Sequence, residues 1–282
     1  MGMWLAGLPT LTLWALAGGV SAGLALLGLR VFRRAIPHQT LKPYNDVIGF
    51  VHGIIGVVYA VMLAFTIVVS WEQFETSQRN VQQEASIVAD LLNDNKLLMT
   101  SFRDGRGPAV SEPSPVGDTL NTMQAALADY VKAVTEDEWD SMAEGRDSAW
   151  AQLSYRQIWS AYGTYAQSAT VTPLQATFFG EILGKLNELG ERRRARLDDA
   201  GKSLPQRFWT VLLAGGILIV AFSLFYGVEH RRVHAVLVAS VAVLIGISLS
   251  LIVSLEHPFR GETGVSKEPF ANLQKIDAWG PR

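Results

Sequence analysis

Four polar side chains recur every seven residues in an otherwise apolar stretch: Asn45, His52, Tyr59 and Thr66. An α-helix turns by about 100° per residue, so these groups drift only about 60° around its axis and form one stripe. Gly49, Gly53, Gly56 and Ala60 flank the stripe, while Phe50, Ile54, Val58, Val61 and Phe65 lie on the opposite side. A helix prolonged past Trp71 adds Gln73, Ser77 and Glu84 to the polar face. A carboxamide, an imidazole, a phenol and a hydroxyl can replace part of an ion's hydration shell. They can equally bond to neighbouring helices, because unpartnered polar groups are costly at membrane depth. One reading therefore lines an ion path with His52, Tyr59 and Thr66, and sets Glu84 near its mouth. The other ties the stripe to helices of the same bundle, with Asn45 or Asp46 as a cap.

Other residues invite chemistry less strongly. Arg192, Arg193, Arg194 and Arg196 crowd into five positions and form a candidate site for an anion or a lipid headgroup. Glu188 and Asp198 stand four residues from Arg192 and Arg194, so surface pairing accounts for part of that cluster. His230 and His234 have a metal-compatible spacing, yet no third ligand follows from the sequence, and no metal site is expected. The run Glu256-His257-Pro258-Phe259-Arg260-Gly261 looks reactive but closes an apolar block, where proline must stop the helix. Hydrolase, zinc-protease, nucleotide-phosphate and dinucleotide signatures are absent, so no enzyme and no cofactor are expected.

These residues are positioned by four apolar blocks, at about 8–29, 47–70, 208–227 and 235–255, each long enough to cross a hydrocarbon core about 30 Å thick. Nearly half of the 282 residues are hydrophobic, cysteine is absent, and the net charge of −2 argues against a nucleic-acid partner. The expected fold is all-α: two transmembrane hairpins flank an extramembrane helical domain at 71–207, and a tail follows at 256–282. The second membrane helix should extend beyond the bilayer. Within the domain, Ile87, Val88, Leu91 and Leu92 show helical spacing, and Arg103 to Asp118 reads as a loop with Asp118 as the next N-cap. Thr172 and Pro173 read as the cap and first-turn proline of a helix reaching about Ala200. Arg30, Arg33, Arg34, Lys42, Arg231 and Arg232 occupy the two short loops, which leans the domain to the extracytoplasmic side.

With spans, domain and motifs combined, the chain resembles the bestrophin-like family of bacterial membrane proteins. The resemblance rests on Gly56-Val57-Val58-Tyr59-Ala60-Val61-Met62-Leu63-Ala64-Phe65 leading to Glu84, on Arg193-Arg194-Ala195-Arg196-Leu197 with Leu204-Pro205 and Trp209, and on Pro258-Phe259-Arg260-Gly261. Bestrophins proper are pentameric anion channels with four membrane helices per subunit and a large helical cytosolic part. The resemblance thus implies a homo-oligomeric channel or channel-like protein for small ions, anions by analogy, in a bacterial cytoplasmic (inner) membrane. It also implies a cytosolic domain, opposite to the charge lean. The alternative is a membrane-anchored sensor or assembly factor whose helical domain binds a partner, without transport.

Overall fold

The structure is a computed structural model, described for residues 9–103, 115–168 and 173–275. It is helical, and no strand occurs among the described residues. The chain divides into two compact units, Met1–Phe74 with Lys202–Gly264, and Glu75–Gly201 with Val265–Arg282.

Among the described residues four helical stretches are long and apolar enough to cross a membrane, and each lies wholly or partly in the first unit. Helix α1 (Thr10–Ala35) is followed by a single turn, α2 (His38–Leu41), and a 3-10 turn over Lys42–Tyr44. Helix α3 (Asn45–Arg103) then contributes its first half. Helices α8 (Gln206–Leu224) and α9 (Arg231–Glu256) complete the unit. Helix α1 lies along α9, where Ala25 and Leu29 pack with Val238 and Ala242. Between lipid-exposed helices packing rests on close van der Waals approach, which small residues permit. Gly246 supplies that approach, since a Cβ there would stand 2.7 Å from the carbonyl oxygen of Ala17. A second cluster joins Leu204, Leu212 and Ile252 with Met62, Leu63 and Trp209. The third span ends at Leu224, three residues before the apolar block does. Phe225 closes α8 by donating its N–H to Phe222, and the chain turns at Gly227.

The second unit takes the distal half of α3, α4 (Pro115–Ala133), a π-helical turn (Val134–Glu138), α5 (Trp139–Ala143), α6 (Ala149–Ser168) and α7 (Pro173–Gly201). A short α10 (Glu268–Gln274) belongs to it as well, so the expected tail is divided: Glu256 to Gly264 goes with the first unit and Val265 onward with the second. The core is built from the apolar faces of these helices: Val88 and Leu91 of α3, Met123 and Leu127 of α4, Ile158 of α6, and Ile182 and Leu186 of α7, all fully buried. Helix α4 begins at Pro115, earlier than expected, because proline suits the first helical turn. Asp118 therefore sits inside the first turn, where the helix dipole favours a carboxylate, and is not the cap. Residues 104–114 of the expected loop, and the proposed cap Thr172, lie outside the described residues.

Candidate functional site

The polar stripe of α3 is turned toward its own chain. Asn45 Oδ1 accepts the backbone N–H of Gly227 at 2.8 Å, so the start of α3 is tied to the α8–α9 turn. His52 Nδ1 lies 3.3 Å from the hydroxyl of Tyr226, and its ring stacks 6.5 Å from that of Phe222. Tyr59 is buried against α8: a Cβ on Gly215 would stand 2.6 Å from its ring, and one on Gly216 would stand 3.1 Å from its hydroxyl. Two adjacent glycines thus make the bed in which the phenol lies. Its hydroxyl has no hydrogen-bond partner among the described residues. Thr66 donates to the carbonyl of Met62, one turn back in its own helix, at 2.9 Å. On the opposite side of α3, Phe50, Ile54, Val57, Val61, Phe65 and Val68 are each more than half exposed.

Glu84 stands in a different environment from its expected place at a path mouth. It is fully buried in the second unit and paired with Arg196 of α7, whose Nε reaches Glu84 Oε2 at 2.6 Å and whose Nη2 reaches Oε1 at 3.0 Å. The same Nη2 donates to Glu138 Oε2 at 2.6 Å, and Glu138 Oε1 takes Nη2 of Arg193 at 2.5 Å. Tyr130 donates its hydroxyl to Glu84, and Gln152 accepts from Arg193 at 2.8 Å. Two guanidiniums therefore face two carboxylates, and the buried set is neutral as a whole. Glu138 closes the π-helical turn, and the wider winding there belongs to the stretch that delivers its carboxylate to both arginines. Burial works against the charge of Arg196, but Glu84 and Glu138 outweigh it and hold the guanidinium ionised well beyond its usual range. Burial, reinforced by Glu84, pushes the Tyr130 phenol well above its ordinary value. The ring of Phe270 covers Arg196 at 5.8 Å, and Tyr155 lies 5.3 Å under Arg193.

This geometry changes the reading of the arginine cluster. Arg193 and Arg196 are committed to internal carboxylates, Arg192 pairs with Glu188 at 3.6 Å, and Arg194 is exposed. A signal for the burial was present in the chain: Ile182, Leu186, Leu189, Arg193 and Arg196 recur at spacings of three and four, so the two arginines continue an apolar face. Further ties bind α3 to α7 and α6. Asn80 bonds Asp199 at 2.7 Å, Lys185 bonds Asp94 at 2.7 Å, and Tyr162 bonds Asn95 at 3.1 Å.

His234 is buried, with Nδ1 at 2.9 Å and 3.2 Å from two nitrogens of Arg33 and Nε2 at 2.9 Å from the carbonyl of Ser223. Arginine can only donate and a carbonyl can only accept, so the imidazole is the neutral Nε2–H tautomer. His230 is exposed, and no cluster of three metal-ligating groups occurs among the described residues. At the end of α9, the buried Glu256 carboxylate accepts the N–H of Leu204 and, at 3.0 Å, the indole N–H of Trp209. The acid of the reactive-looking run thus fastens the start of α8. Gly261 turns the chain at a φ of 74°, a conformation that favours glycine.

Comparison with known proteins places this arrangement. A family model described as the Bestrophin-like domain matches residues 19–270. No curated protein matches the chain. Among solved structures, a bacterial bestrophin homologue from Klebsiella pneumoniae, crystallised with a single substitution, superposes with a TM-score of 0.67 at 13% identity, covering 94% of this chain and 99% of that one. A structure of a Klebsiella pneumoniae bestrophin homologue phased with zinc gives a TM-score of 0.66 at 13% identity, covering 93% and 98%. At these identities the likeness shows the shared fold.

Proposed function

The chain belongs to the Bestrophin-like domain family, and from that footing we propose that it is one subunit of a homo-oligomeric channel for small inorganic ions in a bacterial cytoplasmic membrane. The observation that carries the reading is the division of α3 into two faces. Its polar stripe is occupied within the subunit by Gly227, Tyr226 and the glycines of α8. The opposite face carries bulky Phe50, Ile54, Val57, Val61 and Phe65, and the exposed small residues Gly53, Ala60 and Ala64 border it between that face and the stripe. Small residues let helices of neighbouring copies come close, and apolar rings at a constriction gate ions by excluding water. We therefore assign the path to this uncovered face, and assign Asn45, His52, Tyr59 and Thr66 to holding α3 in place. Glu84 acts through the buried network of the second unit, and family analogy makes anions the proposed class of ion.

Reconstitution tests the reading. The purified chain should form a closed oligomer in mild detergent and carry chloride across vesicle membranes. Val61→Ser, which wets the uncovered face, should raise the flux. A monomer without flux would instead support a membrane-anchored binding protein.

A further inference from the structure

One cluster of charges is absorbed neither by the packing nor by the proposed path. The last turns of α1 carry Arg30, Arg33 and Arg34, the first 3-10 turn carries Lys42, and the first turn of α9 carries Arg231 and Arg232. Only Asp46 and Glu229 oppose them at this end of the first unit, an excess of four positive charges on a chain whose net charge is −2. Arg30, Arg34, Arg231 and Arg232 are exposed, and none has an ion pair among the described residues. Lys42 reaches Glu229 only at 3.9 Å, with both side chains about two-thirds exposed. Intrahelical electrostatics give Arg231 and Arg232 no reward, since a helix start already carries positive partial charge.

The two loops that present these charges are locked together. Gly227 has no room for a Cβ, which would stand 2.7 Å from the Cα of Lys42 and 2.9 Å from the carbonyl oxygen of His38. Asn45 holds the N–H of the same glycine, and Arg33 bridges the carbonyl of Val228 and the ring of His234. Arg33 is thereby a strut, and the four exposed arginines stand on a prearranged surface. Aromatic side chains at the ends of membrane helices favour the headgroup layer: Tyr44 and Phe225 are exposed close in the chain to these charges, and Phe225 packs edge-on against Phe32 at 4.9 Å.

We propose that Arg30, Arg34, Arg231 and Arg232 form a binding surface for the phosphate groups of anionic phospholipids, held in shape by the Arg33–His234 clasp. Guanidinium forks match phosphate geometry two bonds at a time, and a cation at an anionic membrane surface gains affinity without burial. The surface is independent of conduction. It is also distinct from the arginine cluster of α7, whose Arg193 and Arg196 are closed by carboxylates.

The test is lipid binding to the full chain in neutral detergent, counted by native mass spectrometry during titration with phosphatidylglycerol or phosphatidylcholine. The wild-type chain should retain phosphatidylglycerol in preference to phosphatidylcholine. The combined Arg30→Gln, Arg34→Gln, Arg231→Gln, Arg232→Gln variant should lose at least about tenfold in affinity for phosphatidylglycerol alone. The Arg231→Gln, Arg232→Gln pair serves if the fourfold variant fails to fold, and should show an intermediate loss. Millimolar inorganic phosphate should leave the lipid in place. Equal retention of the two lipids, unchanged phosphatidylglycerol binding in the variants, or displacement by phosphate alone would each overturn the proposal.

Discussion

Helix α3 passes through both units, and its polar residues are treated differently in each. In the first unit Asn45, His52, Tyr59 and Thr66 are polar groups with one hydrogen bond or none among the described residues. In the second, Asn80, Glu84 and Asp94 meet partners on α7, and Glu84 shares a closed set of four charges. The difference follows from the cost of taking charge out of water: a neutral hydroxyl survives a missing partner, whereas a buried carboxylate must be neutralised by pairing. Polar residues on a single helix thus do two jobs. One set seats a membrane helix by shape; the other fixes a helical core by charge.

The largest effect should come from breaking the charged half of this comparison. Arg196→Met leaves Glu84 and Glu138 buried beside a single arginine, and should destabilise the second unit by about 3–5 kcal/mol, read as a loss of thermal stability of the full chain. Arg196→Lys should recover only part of the loss, because an ammonium cannot bridge two carboxylates as the planar fork does. The shape half breaks more gently. Gly215→Ala drives a methyl into the Tyr59 ring and should cost about 1–3 kcal/mol. Adding Tyr59→Ala should make the combined loss smaller than the sum of the two, the mark of a direct contact.

A smaller effect sharpens the role of Tyr130. Its phenol is held neutral in the folded state by burial and by Glu84, while the unfolded chain ionises near pH 10. The unfolded state then binds fewer protons, so stability is complete below about pH 10 and falls as pH rises above it. Lys185 acts in the same direction: burial alone would lower its value, but Asp94, Asp90 and Glu181 raise it. Tyr130→Phe should flatten part of the alkaline decline, measured as melting temperature against pH. At the bottom of the scale, Arg194→Ala removes an exposed charge and should change stability by less than about 0.5 kcal/mol.

Much of the fold was legible because the membrane imposes one dominant constraint. Blocks of about twenty apolar residues are read as spans, and each of the four falls in a helix long and apolar enough to cross a membrane. The stripe on α3 was legible as a face, since helical periodicity is local. The neighbour it meets was not, because Gly215, Gly227 and Tyr226 lie far away in the chain and no local pattern names a partner. The partner of Glu84 was hidden for the same reason: Arg196 is 112 positions away. Past Trp71 helix α3 passes from the packing of the first unit into the helical core of the second, where Glu84 is buried. The short α10 and the π-helical turn left little trace. The first has only Phe270 and Leu273 as buried apolar residues, and the second differs from an α-helix only in its winding.

The central claim, that ions pass along the uncovered face of α3, is tested most directly by thiol accessibility, which the cysteine-free chain permits without prior engineering. Val61→Cys and Leu24→Cys would be reconstituted separately, and chloride flux followed before and after a charged, water-soluble thiosulfonate reagent. Val61 and Leu24 are both exposed in the single chain, on α3 and α1 respectively. The reagent should block the flux of Val61→Cys and leave that of Leu24→Cys unchanged. Flux untouched by the reagent in Val61→Cys but blocked in Leu24→Cys would contradict the claim.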